Sequence, residues 1–258
     1  MLASQRRSVI LELVQESGAV KVSDLVERLG VSDMTIRRDI ERLSGDGLLE
    51  RVHGGALALD GTRSSDEPGF SAKSRLQLVQ KQAIARAAAR HVEAGSSIGI
   101  SAGTTTYELA RAVKDVPDLT VVTNSIPVAQ LLHESGTPGQ TVVLTGGVRT
   151  PSDALVGPVA VSALRSLHVD ILFLGAHGVE GRTGLTTPNL VEAETNRALV
   201  ESARRVCLLA DSSKWGTVGL STFADLADVD LFVTDTAFPE RAREAVREMV
   251  GSLEIAEA

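Results

Sequence analysis

Aromatic residues and cysteine are scarce in this chain of 258 residues. Aromatic side chains account for only 3% of it, although apolar residues of all kinds account for 43%. A core built mainly of Ala, Val and Leu favours helices packed on buried parallel strands, and this apolar content excludes a disordered chain. The single cysteine, Cys207, excludes an internal disulfide and lies in an apolar run, so we expect a small core residue rather than a nucleophile.

Signals for export and for membrane insertion are also missing. No apolar run is long enough to span a bilayer. Arg6 and Arg7 precede an apolar stretch, but Glu12 and Glu16 interrupt it, which argues against a signal peptide. Together with the lone cysteine, these absences favour a protein of the reducing cytoplasm with no membrane partner.

An excess of basic charge is absent as well. The net charge is −7; residues 1–59 carry 8 basic and 9 acidic side chains, and residues 60–258 carry 18 and 24. Neither segment is therefore strongly basic, as nucleic-acid-binding domains commonly are. Any contact with DNA would depend on basic residues grouped on one face of a helix.

The first 60 residues predict three helices, over residues 4–16, 23–30 and 33–44. Ser23 and Ser32 are good N-caps for the second and third, and Gly18 and Gly30 end the first and second. Three short helices with a tight turn between the last two are typical of a helix-turn-helix.

The third helix carries the candidate DNA contacts. Ile36, Ile40 and Leu43 recur at helical spacing and are expected to face the core. The first turns of a reading helix meet base edges in the major groove, where arginine reads guanine or binds phosphate. The candidates on this helix and its cap are Ser32, Met34, Thr35, Arg37, Arg38 and Arg42.

A short hairpin, the wing, is predicted after the third helix, over residues 48–55. It would place Arg51 and His53 near the DNA backbone. The alternative is a solvated helix face on which Arg37 and Arg38 pair with acidic neighbours such as Asp39 and Glu41. The residue spacing alone leaves both interpretations open.

The sequence Val-Ser-Asp-Met-Thr-Ile-Arg-Arg-Asp-Ile over residues 31–40 is followed by Leu43 and by Arg-Val-His-Gly-Gly-Ala over 51–56. These runs at this separation resemble the N-terminal signature of the DeoR family of bacterial repressors. The resemblance implies a winged helix-turn-helix domain over residues 3–58, with its reading unit near 20–39 and double-stranded operator DNA as partner.

The rest of the chain predicts a linker and an α/β domain. Residues 60–69 are polar and rich in Gly, Ser and Pro, so we expect a flexible linker over 59–74 and a second domain over 75–258. Helical stretches alternate there with apolar runs typical of strands in a mostly parallel sheet. The predicted strands are residues 97–101, 119–123, 141–145, 171–175, 206–210 and 230–234.

Small and polar residues follow five of these strands, at the sheet edge where α/β proteins bind ligands. Glycine, hydroxyls and a helix N-terminus favour an anion, and two basic side chains would add charge. Each loop taken alone fits an ordinary turn. The candidates from this pattern are Gly103, Thr104, Thr105, Asn124, Ser125, Gly147, Arg149, Asp211 and Lys214.

Residues 103–105, 123–125, 146–147, Glu192 and 209–214 resemble the sensor domain of the same family. That resemblance implies a fold like ribose-5-phosphate isomerase and glucosamine-6-phosphate deaminase, and a phosphorylated sugar or related metabolite as effector. Phosphate would bind at 103–105, Asp211 and Lys214 would contact the sugar, and Glu192 would line the site. Ser101 departs from the Asp usual in the family, and the lost carboxylate favours a different or more acidic ligand.

We therefore expect a transcription regulator, a repressor of a carbohydrate or related operon, rather than an enzyme. The alternative is a sugar-phosphate isomerase with Asp211 or Glu192 as base and Lys214 as electrophile. A reading helix has no use in such an enzyme. A protein-interaction module without a ligand is a third possibility, which the five loops disfavour. We expect no cofactor and no metal at His177, packing for Trp215, and a homo-oligomer, dimer or tetramer, because operators are read by symmetric assemblies.

Overall fold

The computed structural model describes residues 2–17, 19–52, 54–57, 70–74 and 76–257. The chain divides into two compact units, Met1–Leu76 and Gln77–Ala258. Residues 59–69 of the expected linker lie outside the described residues, and a short helix occupies Phe70–Lys73. The finer division into residues 3–58, 59–74 and 75–258 stays a prediction.

The N-terminal unit combines helices with a small antiparallel sheet. In chain order its elements are α1 (Ala3–Ser17), β1 (Ala19–Lys21), α2 (Val22–Leu29), α3 (Asp33–Gly45), β2 (Glu50–Val52), β3 (Gly55–Leu57) and α4 (Phe70–Lys73). The strand order is β1-β3-β2. The sequence predicted a wing over 48–55, where the structure has β2 and β3, but not β1, because β1 pairs with β3 about 35 positions away and no local pattern signals that pairing.

Local capping explains where α2 and α3 begin and end. Ser32 accepts a hydrogen bond from the Thr35 N–H at 3.3 Å, and Gly30 ends α2 in the left-handed conformation, as predicted. The expected N-cap at Ser23 was wrong, because α2 begins at Val22. The Val22 N–H donates to the Gly54 carbonyl at 2.9 Å, so the turn of the wing satisfies this helix end without a capping side chain.

The wing lies close against β1. A Cβ atom on Gly55 would come within 2.1 Å of the Val20 carbonyl oxygen, so only glycine permits this approach of β3 to β1. Ile36, Ile40 and Leu43 of α3 are buried, as expected, in a core shared with α1 and α2. Gly54 and Gly55 therefore allow the wing to pack closely against β1 and the start of α2.

The C-terminal unit is built on a parallel sheet. Its elements are α5 (Leu78–Ala89), β4 (Ser97–Ile100), α6 (Thr104–Val113), β5 (Thr120–Thr123), α7 (Ile126–Ser135), β6 (Thr141–Leu144), β7 (Val148–Arg149), β8 (Leu155–Val156), α8 (Pro158–Leu164), β9 (Ile171–Leu174), β10 (Gly178–Glu180), β11 (Gly184–Thr187), α9 (Leu190–Glu201), β12 (Val206–Leu209), β13 (Ser221–Ala224), β14 (Leu231–Asp235), α10 (Glu240–Met249) and β15 (Leu253–Ala256). Short 3-10 turns cover Ser212–Lys214 and Leu226–Asp228.

The main sheet has seven strands, in the order β15-β14-β12-β9-β4-β5-β6, and every pairing in it is parallel. It contains all six predicted strands; β15 was not predicted. β7 and β8 form a small antiparallel hairpin, and β10, β11 and β13 form a separate antiparallel sheet.

The interior of this sheet is apolar on both faces. Leu172, Leu174 and Leu208 belong to one hydrophobic cluster, while Phe173 and Cys207 belong to the other. Burial raises the pKa of the Cys207 thiol far above its ordinary value, so it stays protonated in the core, as a structural cysteine should. No helix in the described part of the chain is long and apolar enough to cross a bilayer.

The strand order places a switch point between β4 and β9. From β4 the chain runs outward through β5 to β6, and it then returns to the other side of β4 to build β9, β12, β14 and β15. The loops after β4 and β9 consequently diverge at the carboxyl edge. In open parallel sheets this divergence opens the crevice in which ligands bind.

Candidate functional sites

The outward face of α3 carries the residues predicted to contact DNA. Met34 is 61% exposed, and Arg37, Arg38 and Arg42 are exposed as well. Thr35 is half-buried, and its hydroxyl lies 2.8 Å from the hydroxyl of Ser32. The helix thus separates a buried apolar side from an exposed side that bears three arginines.

Two of these arginines are paired with carboxylates on their own helix or its end. The Arg37 Nε donates to the Asp33 Oδ1 at 2.5 Å, and the Arg37 Nη2 donates to the Asp33 Oδ2 at 3.2 Å. These hydrogen bonds to the Asp33 carboxylate, and its negative charge, raise the pKa of Arg37. Arg42 Nε lies 3.7 Å from the Asp46 carboxylate. Arg38, in contrast, makes no hydrogen bond or ion pair with any residue that the structure describes.

The wing is joined to α3 by an exposed ion pair. The Arg51 Nη1 donates to the Glu41 Oε1 at 2.9 Å, which brings a predicted wing residue to α3. His53 lies outside the described residues, so its predicted contact with the DNA backbone stays a prediction.

A contact that was not predicted from the sequence holds α3 against α1. The Arg6 Nε donates to the Asp39 Oδ2 at 2.5 Å, and their side chains are only 11% and 7% exposed. The alternative interpretation, in which Asp39 is a surface partner of Arg37 or Arg38, is therefore wrong for Asp39. The burial of Asp39 could have been predicted from helical spacing, because Asp39 falls on the same side of the helix as Ile36 and Leu43.

At the carboxyl edge of the parallel sheet, two side chains connect neighbouring loops. The Ser101 hydroxyl, after β4, accepts a hydrogen bond from the Gly175 N–H, after β9, at 3.0 Å. The Asn124 Oδ1 accepts from the Ala102 N–H at 2.8 Å, and its Nδ2 donates to the Leu155 carbonyl at 3.2 Å. The structure thereby brings together the loops after β4, β5 and β9 and the hairpin.

The N-terminus of α6 faces this edge without a side-chain cap. Gly103 is the N-cap residue, no acidic residue lies in the first turn, Thr104 is half-buried, and Thr105 is buried. Thr106, which the sequence analysis did not single out, donates its hydroxyl to the Ser101 carbonyl at 2.7 Å. The N–H groups of the first helical turn carry a partial positive charge, which favours an anion there.

The neighbouring helix end is already satisfied. Ser125 is the N-cap of α7, and its hydroxyl accepts from the Val128 N–H at 3.4 Å. Both Ser125 and Asn124 are buried. The structure therefore gives these two predicted contacts local hydrogen-bonding roles at the edge of the sheet.

Two predicted residues belong to the β7–β8 hairpin. Gly147 has φ +122°, and a Cβ atom there would lie 2.5 Å from the Val156 carbonyl oxygen, so glycine is needed for the hairpin itself. The Arg149 Nε donates to the Asp153 Oδ1 at 2.7 Å, and its side chain remains 67% exposed.

Glu192 binds the tip of this hairpin. Its Oε1 accepts hydrogen bonds from the hydroxyls of Ser152 at 2.9 Å and Thr150 at 3.2 Å, and its Oε2 accepts from the Thr187 hydroxyl at 3.1 Å. It is 9% exposed and stands in the first turn of α9, where Asn189 is the N-cap. The three hydroxyl partners, which lie five to 42 positions away, were not predicted.

Asp211 and Lys214 lie after β12, which β9 separates from β4 in the sheet. Asp211 is 2% exposed and caps the 3-10 turn by accepting from the Ser213 N–H at 3.1 Å. Lys214, at the end of that turn, is half-buried. Asp235, which the sequence analysis missed, accepts from the Ser212 N–H at 2.7 Å and holds the turn from the other side.

Trp215 and His177 lie in loops that follow strands of the parallel sheet. The Trp215 ring packs edge-on against Phe238, with ring centroids 5.2 Å apart, which confirms a packing role. The His177 N–H donates to the Thr186 carbonyl at 3.2 Å. Within the described ranges, no group of three or more His, Cys, Asp or Glu residues is placed to hold a metal ion.

Comparison with known families accounts for both units. Residues 6–62 match the model of a DeoR-like helix-turn-helix domain, and residues 76–236 match that of a DeoR C terminal sensor domain. The chain belongs to the DeoR family of transcription regulators. This membership confirms the predicted helix-turn-helix and α/β sensor domains.

Relatives of this DeoR-family regulator match nearly its whole length. It is 40% identical to the HTH-type transcriptional regulator GlpR of Haloferax volcanii, over 95% of either chain. It is 34% identical to the lactose phosphotransferase system repressor of Streptococcus mutans, over 91% of this chain and 93% of that one. These relatives are named as regulators rather than enzymes, which favours the regulator over the isomerase alternative.

The sensor fold also has a distant likeness to an enzyme. Ribose 5-phosphate isomerase from Plasmodium falciparum aligns over 54% of either chain, with 17% identity and a TM-score of 0.39. A likeness at this level supports no conclusion about activity or ligand.

Proposed function

We propose that this DeoR-family regulator is a homo-oligomeric repressor of an operon of carbohydrate or related metabolism. It reads operator DNA with α3 and releases it on binding a phosphorylated small metabolite in the cytoplasm. The observation that carries the proposal is the division of α3 into a buried side and an exposed side with Arg37, Arg38 and Arg42. The name of the Streptococcus mutans relative, a repressor of a lactose system, supports a carbohydrate operon.

The proposed DNA surface is formed by α3, its N-cap residue and the wing. The first turns of α3 supply Thr35 and the arginines, Ser32 caps this end, and the wing supplies Arg51. Arg38 is a candidate for a base edge, because it has no partner among the described residues and bidentate arginine contacts discriminate guanine. Ser32, Arg42 and Arg51 would contact phosphates and orient the helix.

The effector site is proposed at the carboxyl edge of the sheet, beside the switch point between β4 and β9. The uncapped N-terminus of α6 suits a phosphate, with Gly103 allowing close approach and Thr104 and Thr105 offering hydroxyls. Lys214 supplies positive charge from the loop after β12. Asn124, Ser125, Gly147, Arg149, Glu192 and Asp211 complete the proposed set.

Ser101 bears on the chemistry of that effector. Its side chain is 1% exposed, and its hydroxyl is occupied by the Gly175 N–H. A serine here offers no carboxylate to the hydroxyls of a sugar, where the family usually has Asp. We therefore favour an effector with fewer hydroxyls near β4, or a more acidic one, than a simple phosphorylated sugar.

A homo-oligomer follows from how operators are read. One winged helix contacts a short stretch of duplex, and paired half-sites are read by symmetric assemblies. We expect a dimer or tetramer held by the C-terminal unit. A monomer in sedimentation at micromolar concentration, with and without DNA, would contradict this part.

A paired assay tests the proposal. The full-length protein is mixed with duplex DNA from upstream of its own gene in a mobility-shift assay, and phosphorylated metabolites are screened beside their unphosphorylated parents by thermal shift. A ligand at 100 times its Kd stabilises the native state by about 2.7 kcal/mol, which raises the melting temperature by several degrees. The proposal fails if no upstream duplex is retained, and its effector part fails if no phosphorylated compound stabilises the protein.

A further inference from the structure

Asp33 and Arg37 form a two-point contact at the entrance of α3. Asp33 is the first residue of the helix and Arg37 lies one turn later, so both belong to the part that enters a major groove. The Arg37 Nε and Nη2 donate to the two different oxygens of Asp33, at 2.5 and 3.2 Å. Two parallel hydrogen bonds fix the plane of the guanidinium, although both side chains remain about half exposed to solvent.

This contact leaves the other edge of the guanidinium available. Of its five N–H groups, Asp33 engages the one on Nε and one on Nη2, and no other described residue accepts from Arg37. The remaining edge presents one N–H from each terminal nitrogen, side by side. That pair matches O6 and N7 of guanine in the major groove, the commonest specific arginine contact.

The same carboxylate changes the attraction to DNA of arbitrary sequence. An unpaired arginine is drawn to any phosphate, and this attraction supplies essentially all of non-specific binding. Asp33 cancels the charge of Arg37 at distances beyond the pair but leaves its outer donors in place. The even balance of 8 basic and 9 acidic side chains over residues 1–59 is consistent with a domain that limits such attraction.

We propose that Asp33 is a specificity-determining, positioning residue that holds Arg37 to read one guanine and lowers affinity for unrelated DNA. The proposal rests on the proposed reading of operator DNA by α3. It predicts a result that a purely structural role of Asp33 does not. When the carboxylate is lost, the affinity for operator DNA should fall while the affinity for unrelated DNA rises.

The experiment begins with selection of binding sites from randomised duplexes by the full-length protein and by Asp33→Asn. The wild type should select sites with one guanine per half-site whose preference disappears in Asp33→Asn. Arg37→Lys should lose the same preference at unchanged charge, because lysine lacks the planar two-point geometry. Melting curves of the variants show whether each remains folded. We expect all of them to fold, because Asp33 and Arg37 are exposed.

Affinities are then measured on a wild-type-selected duplex and on a scrambled duplex of the same composition. Asp33→Asn should bind the selected duplex about tenfold more weakly, as expected for a lost bidentate contact. It should bind the scrambled duplex more tightly, with a slope of log K against log salt that is steeper by about 0.9, because one arginine is released to a phosphate.

Glu27→Gln is the matched control. Glu27 is exposed on α2 in the same unit and has no ion-pair partner among the described residues, so its loss changes the charge alone. It should strengthen binding to both duplexes alike. If Asp33→Asn behaves like Glu27→Gln, or selects the same guanine as the wild type, the role of Asp33 is disproved. If the wild type selects no sequence, the proposed reading by α3 fails as well.

Discussion

The two units of this regulator use buried polar groups differently. In the described part of the N-terminal unit, the buried polar side chain is Asp39, which is bound to Arg6 and joins α1 to α3. In the C-terminal unit, buried hydroxyl, amide and carboxylate groups gather at the ends of parallel strands, as Ser101, Thr106 and Asn124 do. One ion pair thus holds α3 against α1, whereas hydrogen bonds of hydroxyl, amide and carboxylate groups line the proposed ligand edge.

This difference relates to what each unit has to do. An ion pair shielded from solvent has one favourable arrangement, because separating it leaves an uncompensated buried charge. Hydrogen bonds among hydroxyls and backbone groups exchange more readily for those of a ligand with similar donors and acceptors. The comparison predicts a reading head that behaves as one rigid piece and a sensor edge whose contacts a ligand can replace.

The largest expected effect comes from breaking the buried pair. Asp39→Ala leaves Arg6 without its partner, and removing one member of a buried pair costs about 3–5 kcal/mol. The N-terminal unit should melt at a lower temperature and operator binding should be lost, while the sensor unit keeps its own transition. Calorimetry of the full-length protein measures both.

A double variant controls this prediction. Arg6→Met combined with Asp39→Leu removes both charges and should recover most of the lost stability, because hydrophobic replacement of a whole buried pair is often neutral or better. If each single variant is as stable as the wild type, the ion pair does not orient α3.

A smaller effect is expected on the DNA surface itself. Arg38→Ala should weaken operator binding by about 1–3 kcal/mol without altering the melting curve, since Arg38 is exposed and has no partner among the described residues. Fluorescence anisotropy with the selected duplex measures the change. Arg28→Ala on α2 removes the same charge away from α3; an equal loss in both variants would show that total charge, not reading, decides affinity.

The sensor edge should respond to a substitution that leaves DNA binding alone. Lys214→Ala removes a charged hydrogen-bond donor from the proposed site, which weakens effector binding by about 1.5–3 kcal/mol. Titrating the operator complex with the effector should then require at least tenfold more ligand, and the effector-free complex should be as tight as in the wild type. Release at the same effector concentration would place the site elsewhere.

The smallest effect should come from the exposed pair between the wing and α3. Glu41→Gln leaves Arg51 without its carboxylate, and exposed pairs contribute about 0–1 kcal/mol. Stability should therefore change by less than the error of most denaturant titrations, and any difference should disappear at high salt. A salt-independent loss above 1 kcal/mol would mean that the wing depends on this pair for its position.

Much of the fold was predictable because its signals are local. Ser32 and Gly30 bound their helices as predicted, Ile36 and Ile40 are buried at helical spacing, and all six predicted strands are present. The candidate site was predictable only as a set of loops at one edge. The contacts made by Glu192 and Ser101 join residues far apart in the chain, and no local pattern specifies them.

The sequence by itself determined the family, the helix ends capped by their own neighbours and the apolar strands of the sheet. Only the tertiary structure decided that β1 joins the wing, that Val22 N–H is satisfied by Gly54, and that Asp39 pairs with Arg6. The physical reason is the range of the interactions. Helix propensity and capping act between residues a few positions apart. A buried carboxylate or a strand edge, in contrast, forms hydrogen bonds with groups that only the folded chain brings within about 3 Å.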